Sequence, residues 1–169
     1  MTELSKKVIT FGCRLNNLES ELIDQQLKQQ SIDKDIFIFN TCAVTSEAER
    51  KARQSIRKIK KQNPNAKIVV TGCSAQIDPN KWLQMEEVSN VIGNSEKTKK
   101  EFWENFSLNQ QNEVITSDIM SVKEDKSDFS GLINQNSRYF LQIQNGCDHR
   151  CTFCVIPYGR GNSLSLIHI

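Results

Sequence analysis

The chain has 169 residues, and its content of 37% apolar and 25% charged residues predicts a folded domain and excludes an intrinsically disordered chain. The net charge of +2 is too small to draw the whole molecule to nucleic acid or membrane, so any basic surface has to arise from local clustering. The N-terminus lacks the apolar run of a signal peptide, and no apolar stretch approaches the roughly 20 residues that span a bilayer. A cytoplasmic protein with reduced thiols is therefore expected.

Apolar, strand-like segments alternate with segments of helical periodicity through the first 117 residues. The first helix is expected to begin at Asn16, which pairs with Glu19 as a capping box, and the second at Ser46, which pairs with Glu49. Strands are predicted over 6–11, 35–39, 67–71, 90–92 and 113–116. This alternation predicts an α/β domain over 1–117 with a doubly wound, mostly parallel sheet and helices on both faces.

The composition changes after this domain. Residues 118–137 are rich in Ser, Asp, Lys, Asn and Gln and show little periodicity, which is typical of a linker. One more strand is predicted over 138–144, and a cluster of cysteines follows it directly. The expected organisation is therefore a domain over 1–117, a linker over 118–137 and the start of a second domain over 138–169.

Three cysteines each follow a predicted strand. Cys13, Cys42 and Cys73 are spaced roughly 30 residues apart, and Gly12 and Gly72 precede two of them. Because the carboxyl ends of parallel strands meet at one edge of a sheet, the three thiols are expected to lie together there. Three thiolates suit an iron–sulfur cluster that leaves one iron open, whereas a zinc site would need a fourth protein ligand. The alternative is that the three cysteines are inert, buried side chains.

A second set of cysteines lies in the string CDHRCTFC. The last predicted strand and Gly146 are followed by Cys147, Cys151 and Cys154. Three thiolates in one loop could bind three irons of a cubane cluster. The alternative is a zinc knuckle with His149 as its fourth ligand, but His149 stands only two residues before Cys151, an awkward separation.

Both sets stand in strings that resemble the radical S-adenosylmethionine methylthiotransferase family. Cys13 in FGCRLNNLESE, Cys42 in NTCAVTSEAERKARQ and Cys73 in VVTGCSAQ match the family's auxiliary-cluster cysteines. The three later cysteines, in QNGCDHRCTFCVIPYGRG, match its radical-cluster cysteines, and the similarity runs from about residue 6 to about residue 163. The resemblance implies an N-terminal α/β domain, followed by a radical barrel and an RNA-binding β-domain.

The resemblance also implies an activity. The string after Cys42 looks most like the branch that adds a methylthio group to C2 of N6-threonylcarbamoyladenosine beside the tRNA anticodon. Two 4Fe-4S clusters and S-adenosyl-L-methionine are the implied cofactors, and tRNA and an electron-donor protein are the implied partners, with no membrane. The alternatives are the branches that act on isopentenyladenosine in tRNA or on an aspartate of a ribosomal protein, an iron–sulfur module without catalysis, or a zinc-dependent binding protein.

The C-terminal string SLSLIHI departs from the family pattern, which has an arginine between two serines where this chain has Ser163, Leu164 and Ser165. We therefore expect a fragment that contains an incomplete barrel and is inactive alone. Residues 138–169 are expected to be poorly packed, with no stable structure beyond Gly161, because the partner strands that would bury them are missing.

A basic segment, expected to be helical, follows Cys42. It could contact RNA phosphates, but a solvated outer helix face explains it equally simply and is the favoured interpretation. Its cations are Arg50, Lys51, Arg53, Arg57, Lys58, Lys60 and Lys61.

Overall fold

A five-stranded parallel sheet lies at the centre of the molecule. The computed structural model describes residues 8–29, 36–106, 113–124, 127 and 140–165. The strands are β1 (Val8–Thr10), β2 (Ile36–Thr41), β3 (Lys67–Gly72), β4 (Asn90–Ile92) and β5 (Glu113–Ile115), in the spatial order β1-β2-β3-β4-β5. All four pairings are parallel, which confirms the predicted sheet, and each strand lies within two residues of its predicted bounds.

Helices cover both faces of this sheet, as the sequence predicted. They are α1 (Arg14–Gln29), α2 (Ser46–Gln62), α3 (Cys73–Ile77), α4 (Pro79–Leu83) and α5 (Lys100–Asn105). Alternate residues of β2 point to opposite faces, because side chains alternate along a strand. Ile36 and Ile38 pack with α1 and α5, whereas Phe37 and Phe39 pack with α2, α3 and α4. The sheet is therefore apolar on both sides, which explains the continuous apolar run of β2.

Each successive strand is added to the same side of the sheet, whereas the connecting helices lie on both faces of the sheet. The β1-α1-β2 and β4-α5-β5 units place their helices on one face, and the β2-α2-β3 and β3-β4 units place theirs on the other. These crossovers cannot all have the same hand. The usual right-handed preference of parallel units therefore does not hold throughout this sheet.

Both predicted capping boxes are wrong, although α2 does begin at Ser46 as expected. The N-cap of α2 is Thr45, whose hydroxyl accepts the amide of Ala48, and not Ser46. Asn16 and Glu19 lie inside α1 and are buried, so they do not form a capping box at its start. The side chains of Asn16 and Glu19 instead bind buried groups of the tertiary structure.

The described residues 140–165 form a small, partly packed unit. Two short strands, β6 (Gln144–Asn145) and β7 (Leu164–Ser165), pair antiparallel, and α6 (Ile156–Arg160) lies between them in sequence. The predicted strand over 138–144 is thus wrong for 140–143, and its first two residues lie outside the described part. The expectation of poor packing is also wrong for α6, which packs on α3 and on a 3-10 helix over Ile119–Ser121.

The short strand β7 also lies beyond Gly161, where no stable structure was expected. Of the predicted linker, 118–124 and residue 127 are described, and Ile119 within it is buried. In the described ranges, no helix combines the length and apolar character that crossing a membrane requires.

Candidate metal centres

The first three cysteines lie at one edge of the sheet. In the sheet register, Thr10 of β1 pairs with Asn40 of β2, and Thr41 of β2 pairs with Gly72 of β3. Cys42 and Cys73 directly follow the second of these pairs, and Cys13 is the third residue after the end of β1. The structure therefore brings all three cysteines to the carboxyl edge, where the sequence placed them.

Two glycines allow the backbone to approach closely at this edge. Gly12 has a φ of +102°, and a Cβ at this position would stand 2.3 Å from Cβ and 2.5 Å from Sγ of Cys42. Gly72 has a φ of +100°, and a Cβ there would stand 2.2 Å from the carbonyl oxygen of Thr41. Both positions thus require glycine for backbone conformation and for space. The close approach of Gly12 is what places the turn before Cys13 against the side chain of Cys42.

Two sulfur atoms of this set accept hydrogen bonds, whereas the thiol of Cys13 donates to Asn16 Oδ1 at 3.9 Å. The amide of Val44 lies 3.4 Å from Cys42 Sγ, and the side-chain amide of Asn94 lies 3.6 Å from Cys73 Sγ. The guanidinium Nε of Arg160 lies 3.2 Å from the same Cys73 sulfur. Hydrogen-bond donors, one of them cationic, therefore face the sulfurs of Cys42 and Cys73. Cys42 is buried, Cys73 is half-buried and Cys13 is exposed.

A buried group of charges lies behind these cysteines. Glu19 binds Arg160 through both carboxylate oxygens, and its Oε2 accepts the ammonium of Lys97 at 2.7 Å. Lys97 is fully buried and also donates to Asn40 Oδ1 at 3.2 Å. Burial alone would raise the pKa of Glu19, but the charges of Arg160 and Lys97 outweigh it and hold this pKa below its ordinary value. Two basic side chains therefore meet one carboxylate. Burial lowers the pKa of Lys97, and the guanidinium of Arg160 is the cation that faces the Cys73 sulfur.

Asparagine side chains hold the turns that carry the cysteines. Asn16 donates to the carbonyl oxygens of Phe11 at 2.9 Å and Thr41 at 3.0 Å, and so joins the turns before Cys13 and Cys42. Asn40 in turn donates to the carbonyl oxygen of Asn16 at 2.9 Å. The first helix is thereby fixed to the edge of the sheet by polar contacts as well as by its apolar face.

The second set of cysteines lies in a compact loop between β6 and α6. The amide of Cys147 donates to the carbonyl oxygen of Gly161 at 3.1 Å, and the amide of Cys154 donates to that of Cys151 at 3.0 Å. Gly146 has a φ of +73°, and a Cβ there would stand 2.0 Å from the carbonyl oxygen of Asn162. Cys151 is exposed and the other two cysteines are half-buried.

Each set supplies three thiols, the number that a 4Fe-4S cluster with one open iron takes from a protein. Among the residues that the structure describes, no three Cys, His, Asp or Glu side chains converge so that they could hold one metal ion. A cluster does not require such convergence, because each thiolate binds a different iron. The first set also has sulfur-directed donors and an adjacent cation, which suit an anionic iron–sulfur cluster.

The basic helix α2 is largely paired with acidic residues. Glu47 binds Arg50 and Lys51, while Arg57 lies 3.7 Å from a carboxylate oxygen of Glu87. Glu49 binds two further cations, Arg53 and Lys81. This pairing supports the interpretation of α2 as a solvated outer face.

Three residues of the first site could not be identified from the sequence. Arg160 is separated from Glu19 by 141 positions, and no periodicity or spacing connects them. Lys97 lies in a polar loop that resembles any exposed segment, and Glu19 was taken for a cap. The one sequence signal for Glu19 is that charged residues are frequent in the segment that follows Cys13.

Comparisons with known proteins agree with these features. The family described as "Uncharacterized protein family UPF0004" matches residues 6–93. A threonylcarbamoyladenosine tRNA methylthiotransferase MtaB of Rickettsia prowazekii (strain Madrid E) is 50% identical over 163 residues, which are 96% of this chain and 38% of that protein. The protein of the same name from Aquifex aeolicus (strain VF5) is 34% identical over 165 residues, 93% of this chain and 40% of its own length.

A relative with another name is also similar. The tRNA-2-methylthio-N(6)-dimethylallyladenosine synthase of Chloroherpeton thalassium (strain ATCC 35110 / GB-78) is 31% identical over 166 residues, 92% of this chain and 37% of that protein. The chain thus spans about two fifths of the length of these curated relatives.

Proposed function

The chain belongs to the UPF0004 family, and from this membership we propose that it provides the cluster-binding part of a tRNA methylthiotransferase. The substrate would be N6-threonylcarbamoyladenosine next to the anticodon, which would receive a methylthio group at C2. One observation carries the proposal. The 50% identity to the Rickettsia prowazekii protein extends along 96% of this chain and therefore includes the stretch that contains both sets of cysteines.

Each set of cysteines has a separate role in this proposal. Cys147, Cys151 and Cys154 would hold the 4Fe-4S cluster that binds S-adenosyl-L-methionine, and Cys13, Cys42 and Cys73 would hold a second 4Fe-4S cluster. When bound, these groups supply radical activation of the base together with the sulfur and methyl group that are transferred. The chain itself supplies orientation, sulfur-directed donors and the buried cation.

The two sites require partners beyond this chain. An electron-donor protein would reduce the clusters, tRNA would be the substrate, and the reaction would take place in the cytoplasm, where thiols stay reduced. The division into a domain over 1–117, a linker over 118–137 and a second domain from 138 remains part of this proposal.

A chimera tests the substrate directly. Residues 6–163 of this chain would replace the matched region of the Rickettsia prowazekii relative, so that the remaining length of that protein is supplied. The purified chimera, reconstituted anaerobically with iron and sulfide, would be incubated with S-adenosyl-L-methionine, reductant and tRNA that carries N6-threonylcarbamoyladenosine. Mass spectrometry of the digested nucleosides should show the methylthio product, and tRNA without the threonylcarbamoyl group is the control substrate.

The outcomes separate the alternatives. A chimera that modifies only tRNA carrying isopentenyladenosine would show that the substrate is wrong while the enzyme class is right. A chimera that holds both clusters but modifies neither tRNA would contradict the proposal and favour an iron–sulfur module without catalysis. Loss of product in the Cys151→Ala chimera is expected, because the second set would no longer hold its cluster.

A further inference from the structure

Arg160 joins the segment of the second cysteine set to the site of the first. It belongs to α6, which follows Cys154 by two residues, yet its side chain is buried with only 6% exposure behind the carboxyl edge of the sheet. An arginine is seldom buried to this degree unless it is paired. The position therefore calls for a specific explanation.

The guanidinium uses several of its nitrogen atoms at this site. Nη1 and Nη2 bind the two carboxylate oxygens of Glu19, with Nη2 at 3.0 Å from Oε2, and Nη2 also donates to Asn16 Oδ1 at 2.5 Å. Nε donates to Cys73 Sγ at 3.2 Å. The planar fork of arginine suits this arrangement, because it can bind a carboxylate with two nitrogens while a third faces the sulfur.

The backbone around Arg160 fits the same edge. The side-chain amide of Asn94 donates to the carbonyl oxygen of Gly159, and a Cβ on Gly159 would stand 2.9 Å from Cβ of Cys73. Glycine at this position therefore lets α6 lie directly against the first residue of α3. The contact is between backbones as well as through the arginine side chain.

The residues that follow Arg160 contact the loop of the second cysteine set. The residue after Arg160 is Gly161, whose carbonyl oxygen accepts the amide of Cys147 at 3.1 Å. Asn162 accepts a hydrogen bond from Arg150 within the cysteine loop. A short path thus runs from Cys73 through Arg160 and Gly161 to Cys147.

We propose that Arg160 is a positioning residue that fixes the second cysteine set relative to the first and places a buried cation beside the group held by Cys73. Its positioning role concerns the chain alone, whereas its role as a cation rests on the proposed function. A cation beside an anionic cluster favours the reduced state, because reduction adds negative charge, and hydrogen bonds to the sulfurs act in the same direction.

Arg160→Gln is the variant that separates these roles from folding. Lys97 remains within 2.7 Å of Glu19 in this variant, so no buried carboxylate is left without a cation. Arg160→Lys keeps the charge but loses the fork that binds Glu19 and Cys73 together. The matched control is Arg57→Gln on the outer helix, where the arginine side chain is 64% exposed.

Amide hydrogen exchange on the metal-free full chain tests the positioning role. In Arg160→Gln, the amides of Cys147, Gly159 and Gly161 should exchange about ten- to a hundredfold faster, because hydrogen bonds to charged groups that hold α6 in place are lost. Amides of the central sheet should be unchanged, and Arg57→Gln should match the parent chain everywhere. Unchanged exchange at the three amides would overturn the positioning role.

The midpoint potential of the first cluster tests the cation role. The full chain with Cys147→Ser, Cys151→Ser and Cys154→Ser would load only the first site. Arg160→Gln in this background should shift the potential to a more negative value, and Arg160→Lys should restore part of the shift. An equal potential in all three proteins would overturn the cation role. Absence of any cluster in the parent background would contradict the proposed function, and the exchange experiment would still decide the positioning role.

Discussion

Glu19 is the residue on which the buried charges of the first site depend. It is 2% exposed and binds both Lys97 and Arg160, which are themselves buried. Breaking a buried ion pair by removing one partner is costly, because the remaining charge stays desolvated and unpaired. Here the loss of one carboxylate would leave two cations together in the interior.

Glu19→Gln is therefore expected to destabilise the chain by about 3–5 kcal/mol. Urea unfolding of the metal-free protein, followed by circular dichroism, measures this free energy. Glu47→Gln is the matched control, since Glu47 pairs with Arg50 on the surface of α2, and its unfolding midpoint should stay in place. Equal midpoints for the two variants would show that the buried pairs contribute little.

The same carboxylate predicts how stability depends on pH. The pKa of Glu19 is lowered in the folded chain, so the unfolded chain binds its proton more readily as the pH falls. The stabilisation is complete above the unfolded pKa of about 4.3 and is lost as the pH falls through the folded pKa. The free energy of unfolding should thus fall more steeply below pH 4.3 in the parent chain than in Glu19→Gln. Parallel curves for the two proteins would refute this linkage.

The cysteines could be predicted from the sequence, whereas their charged neighbours could not. Strand-end positions and the spacing of the second set were enough to group all six thiols into two sets. Arg160 and Lys97 enter the first site from later parts of the chain, and such contacts depend on how distant elements pack. The sequence pattern around Arg160 and Lys97 does not indicate these long-range contacts.

At the scale of elements, the sequence predicts strand positions better than helix caps. Each strand of the central sheet is a short apolar run with turn residues beside it, and this contrast fixes its position to within two residues. Helix starts depend on which of several neighbouring polar residues accepts the backbone amide. Thr45 and Ser46 are both capable of capping α2, and only the observed backbone assigns that role to Thr45.

Thr45→Ala should therefore cost about 1 kcal/mol of stability, because an amide at the start of α2 loses its acceptor. Ser46→Ala is the matched control at the neighbouring position and is expected to leave stability unchanged or slightly improved, since alanine favours the helix interior. Thermal unfolding of both variants compares them directly. A larger loss in Ser46→Ala than in Thr45→Ala would assign the cap to Ser46.

At the scale of the whole molecule, the segment after the predicted linker is joined to the first domain more closely than the sequence suggested. Poor packing was expected because a lone strand cannot bury its apolar face. The described residues instead pack through α6, with Pro157, Gly159 and Arg160 buried. Leu141, Ile143 and Phe153 remain exposed, so the argument about unburied apolar residues holds for 141–143 and for the cysteine loop. It failed for α6, because its partner is a polar and backbone surface of the other domain.

The iron and sulfide content of the anaerobically reconstituted chain tests the central claim, which is that the six cysteines form two separate cluster sites. The parent chain should bind about eight irons and about eight sulfides, and Cys42→Ala and Cys151→Ala should each bind about four. Val44→Ala, in the same loop as Cys42 and with an exposed side chain, is the control and should retain the full content. A parent content of about eight irons that stays unchanged in Cys42→Ala would contradict a cluster site at the carboxyl edge of the sheet.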